Sequence, residues 1–275
     1  MKLALFGGLY SNHLALEAAL ADAGRRAVDA VYCLGDMGAF GPHPDRVFPL
    51  LRDHGVRCLR GNYDDSIGHA KDDCQCGYTD PRDNHFAQIS YDYTLANTSA
   101  ENRAFLRTLP EHVRLEAGGV RVLLCHGSPR RVNEFVWQSG SSDAFLSKLC
   151  EDFAADVICG THTGLHWTRT LGVQPSKAGP HDTAASEGCP PRWLNVGCLG
   201  RPANDGRTCV WYAVLTIGGA GHSVEFIPVE YDHDRLAAEM RAEGLPEEFV
   251  ATVETGWWTT CLEVLPGKER RAGQW

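Results

Sequence analysis

Val31-Tyr32-Cys33-Leu34-Gly35-Asp36-Met37-Gly38 reads as a short buried strand that ends in a Gly-Asp turn. The same arrangement recurs three times. Val56-Arg57-Cys58-Leu59 runs into Gly61-Asn62-Tyr63-Asp64, and Val120-Arg121-Val122-Leu123-Leu124-Cys125 runs into His126-Gly127-Ser128-Pro129. Asp156-Val157-Ile158-Cys159 runs into Thr161-His162-Thr163-Gly164. In an open α/β sheet, ligand-binding groups collect at the carboxyl ends of strands. Asp36, Asn62, His126 and His162 are therefore expected to converge on one cleft. One carboxylate, one amide oxygen and two imidazoles suit a borderline divalent cation such as Mn, Fe or Zn. Singly, each is better read as a turn residue or a solvated histidine. Their shared position after four strands argues for a site.

Around these motifs the first sixty residues alternate strand and helix. An apolar run at 2–6 is followed by a helix from Asn12, a plausible cap, and then by the strand at 31–34. Helical spacing over 44–54 ends at Gly55, and a strand follows at 57–60. Such alternation implies a parallel sheet with helices on its faces. Residues 64–84 are acidic and rich in Gly and Pro, and are expected to form a long loop or lid. Helices are predicted over 84–97, 99–109 and 143–153, and a hairpin around Gly118-Gly119. The stretch 174–192 reads as a flexible excursion. Two apolar runs flank Gly218-Gly219 and suggest a second sheet packed on the first, followed by helices over 232–243 and 246–254.

The chain has 275 residues, 43% of them hydrophobic and 22% charged, as expected for a soluble globular protein. Its net charge of −9 argues against a nucleic-acid polymer or an anionic membrane as the main partner. The N-terminus is too short and Gly-broken for a signal peptide, and no run reaches the length of a membrane span, so a cytoplasmic protein is expected. Most of the eleven cysteines lie in apolar strands and read as buried thiols. Cys74-Gln75-Cys76 lies in a polar loop and is a weak candidate for metal binding.

The motif order resembles that of the calcineurin-like metallophosphoesterases, in particular small bacterial members that open with a D-x-H-G-N turn. The resemblance extends to about residue 229 and rests on Gly35-Asp36, Gly61-Asn62, His126-Gly127-Ser128-Pro129 and Asn195-Val196-Gly197 with Gly200-Arg201-Pro202. It implies a single α/β domain over 1–275, a two-sheet sandwich of mixed β-sheets flanked by helices. A lid-like insertion is expected at about 64–84 and a C-terminal helical extension at about 232–275. It also implies hydrolysis of phosphomonoesters or phosphodiesters at a two-metal centre.

The carry-over is uneven. Where the family's first motif supplies an Asp and a His, this chain has Gly8 and Tyr10. Where the last motif supplies its second His, it has Gly164. One metal of the family pair thus loses three of its four ligands. The other keeps all of them, as Asp36, Asn62, His126 and His162. The expectation is one divalent transition metal per chain, with two if another group rebuilds the lost site. Tyr63 stands where the family often has a general-acid His, and an unperturbed phenol pKa of about 10 makes it a poor acid at neutral pH. Catalytic roles are expected for Asp36, Tyr63 and Tyr10, with Tyr10 and the arginines stabilising charge in place of the missing cation, and phosphate contacts for Asn62, Arg130 and Arg201.

Other readings stay open: an inactive relative that binds a phosphorylated ligand or a metal, or a metalloenzyme of the same fold with non-phosphate chemistry. Partners are expected to be a small phosphorylated substrate or ligand, with no nucleic-acid polymer and no membrane. A homo-oligomer contact at Trp257-Trp258 is a further possibility. His13, His166, Cys198 and the loop residues Asp72, Asp73, Cys74, Cys76, Asp80, Asp83 and His85 are weaker candidates to complete a metal site.

Overall fold

The computed structural model describes residues 1–172, 190–219 and 221–270. The chain begins β1 (Lys2–Phe6), α1 (His13–Arg25), β2 (Ala30–Cys33), α2 (Val47–Asp53), β3 (Arg57–Cys58). Three helices follow, α3 (Asn62–His69), α4 (Pro81–Asn97) and α5 (Ala100–Leu106). The hairpin β4 (Val113–Ala117) and β5 (Val120–Leu124) leads to α6 (Asp143–Asp152) and β6 (Val157–Gly160). Next come β7 (His166–Thr170), β8 (Arg192–Val196), β9 (Val210–Gly218) and β10 (Gly221–Val229). The last helices are α7 (His233–Ala242), α8 (Glu247–Thr255) and α9 (Gly267–Arg270).

Two five-stranded mixed sheets result, with strand orders β10-β9-β1-β2-β3 and β4-β5-β6-β8-β7. Alternation along each strand explains their stacking, because successive side chains point to opposite faces. In β1, Leu3 and Leu5 enter the inter-sheet core with Val122, Leu124, Val157 and Leu194, while Ala4 and Phe6 face the helical layer. In β5, Leu123 points the other way, into a third cluster built with α6. Strands apolar on both faces must be covered on both, which is why helices flank the sandwich. Each large apolar side chain so buried stabilises the fold by roughly 1.5–3 kcal/mol.

The late strands differ from expectation. β9 and β10 do not form a second sheet. β9 pairs antiparallel with β1, Leu3 opposite Leu215, and extends the first sheet. The reason is two-sided burial: Ala213, Leu215 and Ile217 face the inter-sheet core while Val210, Tyr212 and Val214 face the helices. The second sheet comes instead from the middle of the chain. The region 64–84 is also less irregular than expected, because α3 takes its first part and α4 begins at Pro81. Asp80 caps α4, its Oδ1 accepting from the Arg82 N–H at 2.8 Å, and proline at the first helical position needs no donor. The stretch 174–192 lies mostly outside the described residues; its end, Arg192, opens β8. Among the described residues no helix is long and apolar enough to cross a membrane.

Parallel pairing sets the site. β1, β2 and β3 are mutually parallel in one sheet, and β5, β6 and β8 in the other. The turns after all six carry Tyr10, Asp36, Asn62, His126, His162 and Arg201.

Candidate metal centre

Asp36 sits in the left-handed region at φ 60°, and His162 at φ 33°. Such conformations cost energy in non-glycine residues and persist where surrounding bonds hold them. Asp64 supplies that hold: its carboxylate accepts from the backbone N–H of Asp36 at 2.7 Å, Met37 at 3.0 Å and Gly61 at 2.8 Å. Burial and the neighbouring Asp36 charge push the Asp64 carboxyl up to about 6, against the pull of those three donors. Asp36 Oδ1 in turn accepts from the Tyr63 N–H at 3.1 Å.

The two imidazoles have fixed tautomers. His126 Nδ1 lies 2.7 Å from the Leu34 carbonyl, which only accepts, so Nδ1 carries the hydrogen and Nε2 keeps its lone pair. His162 Nε2 lies 3.2 Å from the Cys76 carbonyl, which leaves its lone pair on Nδ1. These two lone pairs face each other, with His126 Nε2 at 3.2 Å from His162 Nδ1 and 3.2 Å from Asp36 Oδ2. Asp36, His126 and His162 each offer a ligand atom within 4.8 Å of the others.

The charges respond accordingly. Burial works against the Asp36 charge, but His126 beside it holds the carboxyl below its usual range. Burial also works against the His126 charge, yet Asp36 raises that imidazole. Burial and His126 push His162 down to about 3. Asn62, at the start of α3, is the fourth candidate. Its Nδ2 donates to the Cys74 carbonyl at 2.9 Å, which leaves Oδ1 buried with no hydrogen-bond partner. Three acceptor atoms this close together fit a cation, and the N/O donor set fits Mn, Fe or Zn.

Side chains crowd Gly8 and Gly164, the two glycines expected at ligand positions. The Tyr10 ring lies over Gly8, where an added Cβ would fall 2.6 Å from Tyr10 Cζ, and it also packs on Gly200. A Cβ at Gly164 would meet Cys198 Sγ at 3.5 Å and the Trp258 ring at 3.6 Å. Trp258 stacks on the Arg201 guanidinium, 3.5 Å from its ring centre, and Tyr10 stands 5.9 Å from the same group. Arg201 is 7% exposed, its Nε has no hydrogen-bond partner, and it forms no ion pair among the described residues. Burial opposes its charge, but the thiol and phenol groups of Cys261, Tyr10 and Tyr78 hold the guanidinium above its ordinary value.

Several of these groups line one small pocket. Asp36, His162, Tyr10, Tyr63 and Arg201 line it together with aromatic walls. The Tyr63 hydroxyl is engaged with α4, donating toward Ser90 Oγ at 3.1 Å and the Ala87 carbonyl at 3.3 Å. Burial raises its pKa further from the range of a general acid. Arg130 is not brought to this pocket. It pairs with Glu134, lies over Phe145 and borders a second hollow that His126 also lines.

The weaker candidates disperse. His13 is buried near Glu239 and Arg46. His166 stacks on Trp211. Cys198 lies behind Gly164 with its pKa raised, chiefly by burial. Cys74 and Cys76 are bonded to each other, so neither is a free thiolate ligand. Asp80 caps α4, and Asp83 accepts from the Val264 N–H. Asp36, His126 and His162 are the one such grouping of His, Cys, Asp or Glu among the described residues. Trp258 turns inward to Arg201. Sequence reasoning missed that role because Trp258 lies beyond the motifs. It also missed the Cys74 and Cys76 carbonyls, since backbone acceptors leave no mark in a sequence.

The comparisons agree with this geometry. A calcineurin-like phosphoesterase superfamily domain matches residues 1–218. An uncharacterised protein of Methanocaldococcus jannaschii is 24% identical over 248 residues, 89% of this chain and 94% of that protein. A metallophosphoesterase from Sphaerobacter thermophilus superposes with a TM-score of 0.68 at 28% identity, covering 93% of this chain and 99% of its own. A hypothetical protein from Pyrococcus horikoshii OT3 shares the fold, with a TM-score of 0.72 at 19% identity over 94% of this chain and 99% of its own. With its two mixed sheets, flanking helices and Asp-His-His cluster, the chain belongs to the calcineurin-like phosphoesterase superfamily, whose members are metal-dependent hydrolases of phosphate esters.

Proposed function

We propose that this protein hydrolyses a small phosphate ester at a centre of one divalent metal and one guanidinium. The observation that carries the reading is the cluster of Asp36, His126 and His162, two of which, Asp36 and His162, line a pocket with the buried Arg201. The four side chains would hold Mn, Fe or Zn. When bound, the cation supplies Lewis acidity and an activated water.

The chain's own residues do the rest. Arg201 binds phosphate oxygens through its planar fork, and its stacking on Trp258 sets the plane of that fork. Tyr10 donates a hydrogen bond to developing oxyanion charge; burial raises its pKa, so the hydroxyl stays protonated. Asp64 fixes the Asp36 turn.

A second reading, ligand binding with little turnover, is favoured by one observation. The Tyr63 hydroxyl is committed to Ser90 and Ala87, so it is poorly placed to protonate a leaving oxygen. Hydrolysis of 4-nitrophenyl phosphate and bis(4-nitrophenyl) phosphate by Mn²⁺-loaded protein separates the two. Turnover above that of Asp36→Asn is expected. Its absence on every phosphate ester tried would leave the binding reading.

A further inference from the structure

The pocket has two properties that the proposed hydrolysis does not require. Its walls beyond the polar end are aromatic: Phe40 and Phe249 stand 4.9 Å apart between ring centres, Phe86 and Phe249 5.9 Å, and Tyr78 lines the same space. Its Tyr63 hydroxyl is also committed to Ser90 Oγ and the Ala87 carbonyl, so it is poorly placed to protonate a leaving oxygen. A leaving oxygen of high pKa would depart unprotonated and slowly. A phenolic oxygen departs without help.

We infer that the site takes small aryl phosphate monoesters, the phosphate held between the metal and Arg201 and the aromatic ring held against Phe40, Phe86 and Phe249. A monoester brings one aryl group to these walls, whereas a diester brings a second substituent besides. In the reaction, water oxygen bonds to phosphorus, the bond from phosphorus to the phenolic oxygen breaks, and the products are inorganic phosphate and a phenol. The water's proton ends on the phenolate or in solvent. This inference rests on the proposed phosphoesterase reading.

The test compares Mn²⁺-loaded protein on phenyl phosphates of graded phenol acidity, on hexyl phosphate and on bis(4-nitrophenyl) phosphate. The expected result is a kcat/KM that climbs steeply as the phenol becomes more acidic and falls at least tenfold for hexyl phosphate and for the diester. Phe249→Leu, which keeps most of the buried volume, should narrow the aryl-over-alkyl ratio by about three- to tenfold, the worth of one aromatic pair. Equal rates on aryl and alkyl monoesters, or a preference for the diester, overturn the inference while leaving a phosphoesterase. Should nothing be hydrolysed, binding decides. Calorimetry on the metal-loaded protein should find phenylphosphonate at least tenfold tighter than methylphosphonate, and equal affinity overturns the aryl pocket.

Discussion

The Tyr10 ring lies over Gly8 so closely that a β-carbon at Gly8 would fall 2.6 Å from Tyr10 Cζ and 3.0 Å from its hydroxyl oxygen. The glycine and the tyrosine are therefore one change, because the missing side chain makes room for the ring. With Arg201 and Trp258 alongside, a phenol and a guanidinium stand, in our proposal, in place of a second cation. Gly8→Asp alone should not restore that cation. Overpacking against Tyr10 should cost about 1–3 kcal/mol of stability. Elemental analysis that found two tightly held metals in this variant would refute the account.

Metal content follows from the donor set. The protein should hold about one tightly bound metal per chain. His162→Ala should lose most of it without unfolding. His13→Ala, whose imidazole lies near Glu239 and Arg46, should retain it. Equal metal loss in both, measured by elemental analysis after mild chelation, would show that the centre lies elsewhere.

Arg201 should behave as a functional and not a stabilising residue. Removing one well-placed charge-stabilising group costs roughly 10²–10³ in rate. Arg201→Met should therefore lower kcat/KM by about that factor while metal content stays constant. Replacing an unpaired buried charge with an apolar chain of similar length should leave stability within about 1 kcal/mol or raise it. A large fall in thermal midpoint with unchanged activity would reverse this assignment.

The loop at Cys74 and Cys76 orients two ligands through its backbone. The Cys74 carbonyl accepts from Asn62 and the Cys76 carbonyl from His162. Groups that orient metal ligands are typically worth about 10–100-fold in affinity. A Cys74→Ser, Cys76→Ser variant, with the cross-link gone, should bind Mn²⁺ about tenfold more weakly. Identical affinities in a chelator competition would show that the cross-link has no part in placing those carbonyls.

His166 gives the fold an acid sensitivity away from the metal. Burial holds its imidazole down to about 4, against an unfolded value of about 6.5. Between those values the unfolded chain binds more protons than the folded one, so stability is full above about pH 6.5 and declines as pH falls toward 4. His166→Gln removes this titration and should flatten the loss of thermal midpoint between about pH 7 and 4.5. Parallel melting curves for the two proteins would exclude the imidazole as a source.

Much of the centre is legible in the chain because its signals are local. An apolar run with two-residue alternation followed by a turn residue marks a strand end, and parallel pairing brings such ends together wherever the strands sit. That is why the amino-acid sequence alone singles out Asp36, Asn62, His126 and His162. Sheet membership is not local. The β9–β10 hairpin is visible around Gly218-Gly219, but its pairing to β1 depends on which faces are left to cover. α3 is hidden because its first turn is itself the Gly-Asn motif.

The sequence by itself singled out a set of candidate metal ligands and, through the family resemblance, Gly8, Tyr10 and Gly164 as departures from the other set. Only the tertiary structure decided what fills the break and what the pocket is made of. Arg201, Trp258, Phe40, Phe86 and Phe249 come from distant parts of the chain, and no spacing rule links them. They meet because the two sheets stack and the C-terminal segment folds back over the strand ends. The same packing sends the Tyr63 hydroxyl into α4 and Arg130 to Glu134, contacts set by which helix lies alongside and not by the motif that carries them.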